Sequence, residues 1–215
     1  MKLYTYWRSS AAYRVRIALH LKQIDYQSTY VHLVKEGGEQ LQPAFTAVNP
    51  QGLVPALELD DGTLLTQSMA IIEYLEETQP GAALLPVDAK ARARVRALAQ
   101  VLACDIHPLN NLRVLKYLAA HMAVDEAQKT DWYRHWVVQG LGALESLLKG
   151  SSDTGIFCHG DSPGLADACL IPQLYNARRF EVDLKPYPTL LQIDAACAKL
   201  PAFCQAAPES QADAL

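Results

Sequence analysis

Apolar positions follow two regimes along this chain. Up to residue 80, short apolar runs alternate with turn signals and brief helical patterns; beyond it, apolar positions recur at helical spacing and strand signals nearly vanish. The first run, Tyr4-Thr5-Tyr6-Trp7, meets Arg8-Ser9-Ser10 and passes into the helical pattern Ala11-Ala12-Tyr13-Arg14-Val15-Arg16-Ile17-Ala18-Leu19. A turn signal, Asn49-Pro50-Gln51-Gly52, precedes Leu53-Val54-Pro55 and the apolar run Ala56-Leu57-Glu58-Leu59. Leu65-Thr66 closes a further strand, and Gln67-Ser68 opens a helix with apolar residues at 69, 71, 72 and 75. Together these predict a βαβ unit, a proline-initiated hairpin and a closing helix.

Pro80-Gly81-Ala82-Ala83-Leu84-Leu85-Pro86 reads as the link to a second, all-helical half. There, residues 88–121 carry a helical pattern interrupted at Pro108, and a second long pattern runs from Asp125 to Lys149. A loop around residues 150–155 leads through Phe157-Cys158-His159-Gly160-Asp161-Ser162-Pro163-Gly164-Leu165-Ala166-Asp167 into an apolar helix. Asp167 lies near the start of that helix. The expected domains are 1–80 and 88–215. Only the stretch after Pro208 reads as a candidate for disorder.

Chemistry concentrates where strands run into helices. The first four N–H groups of a helix lack intrahelical partners and carry partial positive charge, so a negative ligand atom is favoured there. Ser9 and Ser10 stand at such a point, with the alternative that they only cap the helix. Gln67 and Ser68 stand at another, suited to a carboxylate. Val54-Pro55 opens a strand; a cis bond would leave the Val54 N–H and C=O pointing sideways toward a peptide-like ligand, and an ordinary trans proline ending a loop is the alternative.

The formal net charge of −4 gives no global attraction to nucleic acid or anionic lipid, so an anionic substrate must be met by local arginines. No apolar run approaches the ~20 residues of a membrane span, and the N-terminus lacks a signal peptide's apolar core, which predicts a cytoplasmic protein. The five cysteines, without C-x-x-C spacing, read as reduced and mostly buried thiols. The histidines show no metal-ligand spacing, so no metal is expected.

The segment Ser9-Ser10-Ala11-Ala12-Tyr13-Arg14-Val15-Arg16-Ile17-Ala18-Leu19 resembles the signature Ser-Ser-Cys-x-Trp-Arg-Val-Arg-Ile-Ala-Leu of zeta-class glutathione transferases, the family of maleylacetoacetate isomerases. The similarity extends over essentially the whole chain. It departs at Ala11, where the family has cysteine, and at Tyr13 in place of tryptophan. The resemblance implies an α/β N-terminal thioredoxin-like domain followed by an all-α C-terminal domain. It implies glutathione as cofactor, a dicarboxylate substrate, a homodimer, and cis-trans isomerisation of maleylacetoacetate by thiolate addition, bond rotation and elimination. Alternatives are maleylpyruvate isomerisation, glutathione conjugation, or a non-catalytic adaptor. With Ala11 in place of cysteine, the sulfur nucleophile must come from the cofactor, and thiol-dependent reductase chemistry is disfavoured.

By the same resemblance Ser9, then Ser10, holds the thiolate, Val54 beside Pro55 pairs with the cysteinyl backbone, and Gln67 with Ser68 grips the γ-glutamyl carboxylate. Gln40 is a weaker candidate for the glycine end. Arg8 and Arg179 meet the substrate's charge, with Arg178 as the alternative to Arg179. His107 and Asn111, four apart around Pro108, could share a helix face and support binding. Arg14 and Arg16 are expected to brace the first helix. Leu112, where relatives acting on maleylpyruvate can carry arginine, tilts the reading toward maleylacetoacetate, and the neighbouring Arg113 keeps both substrates open.

Overall fold

The computed structural model describes residues 1–214 and divides into two compact units, Met1–Leu84 with the segment from Lys199 onward, and Leu85–Ala198. In the first, strands β1 (Lys2–Thr5), β2 (Gln27–Tyr30), β3 (Ala56–Glu58) and β4 (Leu64–Thr66) form a sheet of order β2-β1-β3-β4. β1 and β2 run parallel, joined by helix α1 (Ser10–Leu21); β3 is antiparallel to both β1 and β4. This is the predicted βαβ unit and hairpin, closed by α3 (Ser68–Thr78).

Side-chain alternation along β1 sorts residues onto the two faces of the sheet. Leu3 and Thr5 are fully buried, and Thr5 Oγ1 accepts from Arg16 Nη1, so α1 covers their face. Tyr4 points the other way, its ring edge-on to Phe45 of the short helix α2 (Pro43–Thr46) at 5.9 Å. Tyr6, Val31, Phe45 and Val54 form a small core there. α1 packs on α3 and on α9 (Pro201–Ala206). Residues from Lys199 therefore belong with the α/β unit, whereas the sequence reading assigned them to the helical domain. The hydrogen bonds that tie them in are long in sequence: Arg16 Nε to the Ala206 carbonyl (3.0 Å) and the Trp7 amide to Asp213 Oδ2 (3.0 Å).

After Pro208 the described residues 209–214 are built rather than loose, and Leu215 lies outside the described residues. Ser210 Oγ donates to the Cys204 carbonyl at 2.8 Å, and Gln211 Nε2 donates to the carbonyls of Gln205 and Ala207, both at 2.9 Å.

The second unit comprises α4 (Ala89–Gln100), a π-helical turn Val101–Ile106, α5 (Leu112–Met122), α6 (Glu126–Lys149), α7 (Leu165–Arg179) and α8 (Pro188–Cys197). Asp88 caps α4, and Asp125 with Gln128 forms a reciprocal capping box on α6. α7 is the central helix, buried along nearly all of Leu165–Ala177 and packed against α4 and α8. At its start Gly164 contributes no side chain, so only the acidic half of a capping box exists. Asp167 Oδ2 accepts from the Gly164 amide (2.8 Å) while Oδ1 accepts from the Cys158 amide (2.9 Å). α6 crosses the π turn so closely at Gly140 that a Cβ would lie 2.2 Å from Ile106 Cδ1. Cys158, Cys169 and Cys197 are buried, while Cys104 and Cys204 are exposed.

Candidate active site

The register gathers three of the predicted segments at one end of the sheet. Tyr4, Ala56 and Thr66 stand side by side across β1, β3 and β4. From that row β1 runs out toward Ser9, β3 is entered from Val54-Pro55, and β4 runs out into Gln67-Ser68. Three pieces distant in sequence thus meet because antiparallel pairing fixes which residues are opposite.

Ser9 is the N-cap of α1: its backbone is extended and its Oγ accepts from the Ala12 amide at 3.2 Å. A capping hydroxyl uses a lone pair and keeps its O–H proton to donate elsewhere. The Ala11 amide has no acceptor among the described residues. The first turns of α1 and α3 carry no acidic residue of their own, so neither helix supplies a negative charge to its own positive end. Ser10 is buried at the first helical position.

Arg14, buried, reaches from α1 to donate to Ser68 Oγ (3.3 Å) and so couples the two helix starts. Arg16 is fully buried and donates to Thr5 Oγ1 and to the carbonyls of Tyr6 (3.3 Å) and Trp7 (3.0 Å). Burial lowers its pKa to about 10. Both arginines brace more than their own helix: Arg16 holds the turn between β1 and Ser9. Arg8 lies over the Trp7 ring, 4.6 Å from its centroid, and meets no carboxylate among the described residues.

The Val54-Pro55 bond is cis. The Val54 side chain is buried in the small core, and its backbone N–H and C=O make no hydrogen bond among the described residues. Gln67 has φ +68°, a conformation unfavourable for a side-chain-bearing residue, and its Nε2 donates to Gln51 Oε1 at 2.8 Å. Gln40 is buried, and its Oε1 has no hydrogen-bond partner among the described residues. Its backbone carbonyl lies where a side chain on Gly52, at φ +62°, would come within 3.1 Å, so this residue packs on the turn that precedes Val54.

In the helical unit, the two candidate arginines differ in their partners. Arg178 forms an ion pair with Asp194. Arg179 is exposed, is held by Asn176 Oδ1 at 2.9 Å, and meets no carboxylate among the described residues. Its positive charge acts on Tyr133, whose ring stacks on Phe180 with centroids 3.6 Å apart. His107 and Asn111 do not share a helix face. His107 ends the π turn, and Asn111 is the extended N-cap of α5, its Oδ1 accepting from the Arg113 amide (3.1 Å), so the i, i+4 spacing does not apply. Sequence reasoning missed Asp213; a lone acidic residue near the chain's end carries no signal of a long-range contact.

Residues 8–78 match the family model of the glutathione S-transferase N-terminal domain. The maleylacetoacetate isomerase of Pseudomonas aeruginosa is 54% identical over 213 residues, covering 99% of this chain and 98% of that protein. The chain belongs to the glutathione transferases. Within that family it matches the holo structure of a bacterial maleylpyruvate isomerase of the zeta class, with TM-score 0.96, 51% identity and all of both chains covered. The same TM-score, at 44% identity and full coverage of both chains, relates this transferase to the maleylacetoacetate isomerase of Methylobacterium extorquens AM1, solved with malonate and glutathione.

Proposed function

We propose that this transferase is a glutathione-dependent cis-trans isomerase that converts maleylacetoacetate to fumarylacetoacetate. Three features fit a bound tripeptide: a helix first turn without an acidic residue and with a hydroxyl for the sulfur, backbone groups at Val54 that make no hydrogen bond among the described residues for the peptide, and the buried Gln40 Oε1, likewise without a partner among them, for an amide at the glycine end. Bound glutathione supplies a thiolate that adds to the double bond and leaves after rotation about the resulting single bond.

The chain's own residues make that step accessible. The Ser9 hydroxyl and the first turn of α1 favour ionised over protonated sulfur, because hydrogen bonds to a charged form and a helix N-terminus lower its pKa. Val54 and Pro55 orient the peptide, and Gln67 and Ser68 anchor the γ-glutamyl carboxylate. Arg8 holds developing negative charge on the carbonyl, and Arg179 a carboxylate. His107 retains a supporting part in binding. For Asn111 that role is narrowed by its commitment to the α5 cap.

One observation carries isomerisation of a dianion over conjugation of an apolar electrophile: among the described residues Arg8 and Arg179 meet no carboxylate, while neighbouring Arg178 does. The test is turnover of maleylacetoacetate and maleylpyruvate with and without catalytic glutathione. Turnover that needs glutathione without consuming it, faster on maleylacetoacetate, is expected. Stoichiometric loss of glutathione onto an electrophile with no isomerisation refutes the proposal in favour of conjugation. A cytoplasmic homodimer completes the proposal, with a dimer mass on sedimentation expected and a monomer mass refuting it.

A further inference from the structure

Trp7 stands two residues before the cap Ser9, and both its backbone polar groups are held from elsewhere in the unit. Its N–H donates to Asp213 Oδ2 at 3.0 Å, and its carbonyl accepts from Arg16 Nη2 at 3.0 Å. Arg16 is in turn anchored by the Ala206 carbonyl. The C-terminal segment thus reaches the turn twice, once through Arg16 and once directly. Because the Trp7 indole carries the Arg8 guanidinium, whatever fixes the Trp7 peptide also fixes Arg8.

Asp213 is expensive to keep there. Its Oδ1 is buried with no hydrogen-bond partner among the described residues, which forfeits solvation that a carboxylate ordinarily retains. Its charge acts on the fully buried Arg16 guanidinium, which offsets part of that cost. The hydrogen bonds of Ser210 and Gln211 back to the α9 segment make the strut that carries Asp213 stiff.

We infer that Asp213 is a positioning residue for the isomerisation: its carboxylate fixes the Trp7 peptide so that Arg8 and the Ser9 hydroxyl face the sulfur and substrate in register. The inference rests on the roles given to Arg8 and Ser9 above. A charged acceptor suits the task, since a backbone N–H bonded to a carboxylate is held more strongly than one bonded to a neutral oxygen. Misplacing a site by about 1 Å from a distance can cost about a hundredfold in rate.

The test uses the full chain with Asp213→Ala and Asp213→Asn. It follows three readouts: kcat for isomerisation, the pH at which bound glutathione ionises (from the ultraviolet absorbance of its thiolate), and the thermal midpoint. Asp213→Ala is expected to lower kcat by about ten- to a hundredfold and to move ionisation of bound glutathione to higher pH. Asp213→Asn, which keeps an oxygen acceptor for the Trp7 amide, recovers most of both. A lowered thermal midpoint with wild-type kcat and wild-type ionisation overturns the inference and leaves Asp213 a structural tie. If the wild-type protein shows no isomerisation, the reading of function fails, and the glutathione titration still decides the positioning role. Asp213→Glu provides a second variant should Asp213→Ala not fold: it keeps the charge and displaces the oxygens by one methylene. Reduced kcat or shifted ionisation in it supports the inference, and wild-type values in both overturn it.

Discussion

Ser9 is asked to do two things with one oxygen, and two substitutions separate them. Its Oγ accepts from the Ala12 amide as the cap of α1, and its O–H is free to donate to a ligand sulfur. Ser9→Ala removes both functions; Ser9→Asp keeps a strong cap acceptor, removes the donor, and sets a negative charge beside the thiolate. Loss of the cap is worth about 1 kcal/mol, so Ser9→Ala is destabilised by about that amount, while Ser9→Asp stays close to wild type or gains slightly from the helix end. A hydrogen bond to a charged group is worth about 1.5–3 kcal/mol, and a pKa unit corresponds to about 1.4 kcal/mol, so Ser9→Ala raises the ionisation pH of bound glutathione by about one to two units. In Ser9→Asp the rise is larger, because repulsion adds to the lost donor. Urea unfolding gives the stability, and thiolate absorbance against pH gives the ionisation. Stability falling in Ser9→Ala with the ionisation of bound glutathione unmoved in either variant refutes the reasoning, and Ser10 becomes the sulfur's donor.

Arg179→Ala is expected to raise KM for the dicarboxylate substrate by about tenfold or more, and Arg178→Ala to leave it near wild type, since of the two only Arg178 meets a carboxylate among the described residues; steady-state kinetics with the order reversed would exchange their roles. Lys22→Met removes the cation from a pair whose side chains are 2% and 9% exposed, and so costs about 3–5 kcal/mol by urea unfolding. A loss under about 1 kcal/mol would mean that the Leu84 amide, which also donates to Glu76 Oε2, suffices. Burial raises the Asp167 pKa above its ordinary 3.8, against the pull of the Cys158 and Gly164 amides. The folded state therefore holds its proton to higher pH than the unfolded state. Its contribution is fully present below 3.8 and is lost as pH rises through the folded value. The urea midpoint should fall across that window in the wild type and lose this slope in Asp167→Asn; identical slopes would count against the assignment.

What was legible in the sequence is what local chemistry decides. Serine before an amphipathic run caps a helix, a turn signal before Val-Pro opens a strand, and Gln67-Ser68 ends one element as the next begins; each appears as read. Pro108 also interrupts the helical pattern where expected, although the π turn ahead of it disrupts the 3.6-residue spacing on which the pairing of His107 with Asn111 relied. Contacts across long separations left no such trace. The bond from Arg16 to Ala206 spans 190 residues and that from Trp7 to Asp213 spans 206, so the return of the C-terminal segment to the α/β unit was invisible in periodicity. Arg178 and Arg179 were indistinguishable as neighbours, and Asp194 on α8 separates them.

Ala11 ties these observations to the chemistry. A cysteine near the start of α1 would draw on the same helix end and hydroxyl that an incoming sulfur needs, and its lowered pKa would make it a competing nucleophile. With alanine there, no protein thiolate competes with the ligand for the positive end of α1. Nor do the buried thiols offer a substitute, since burial pushes Cys158 and Cys197 up and keeps them protonated. Isomerisation suits such a site because it conserves every atom and electron of the substrate: the sulfur that adds is the sulfur that leaves, and no protein thiol is needed to resolve a disulfide. The chain has only to hold one thiolate ionised and to balance the charge that appears on the substrate while the bond is single. In the proposed reaction the Ser9-capped end of α1 serves the first need, and Arg8 and Arg179, which meet no carboxylate among the described residues, serve the second.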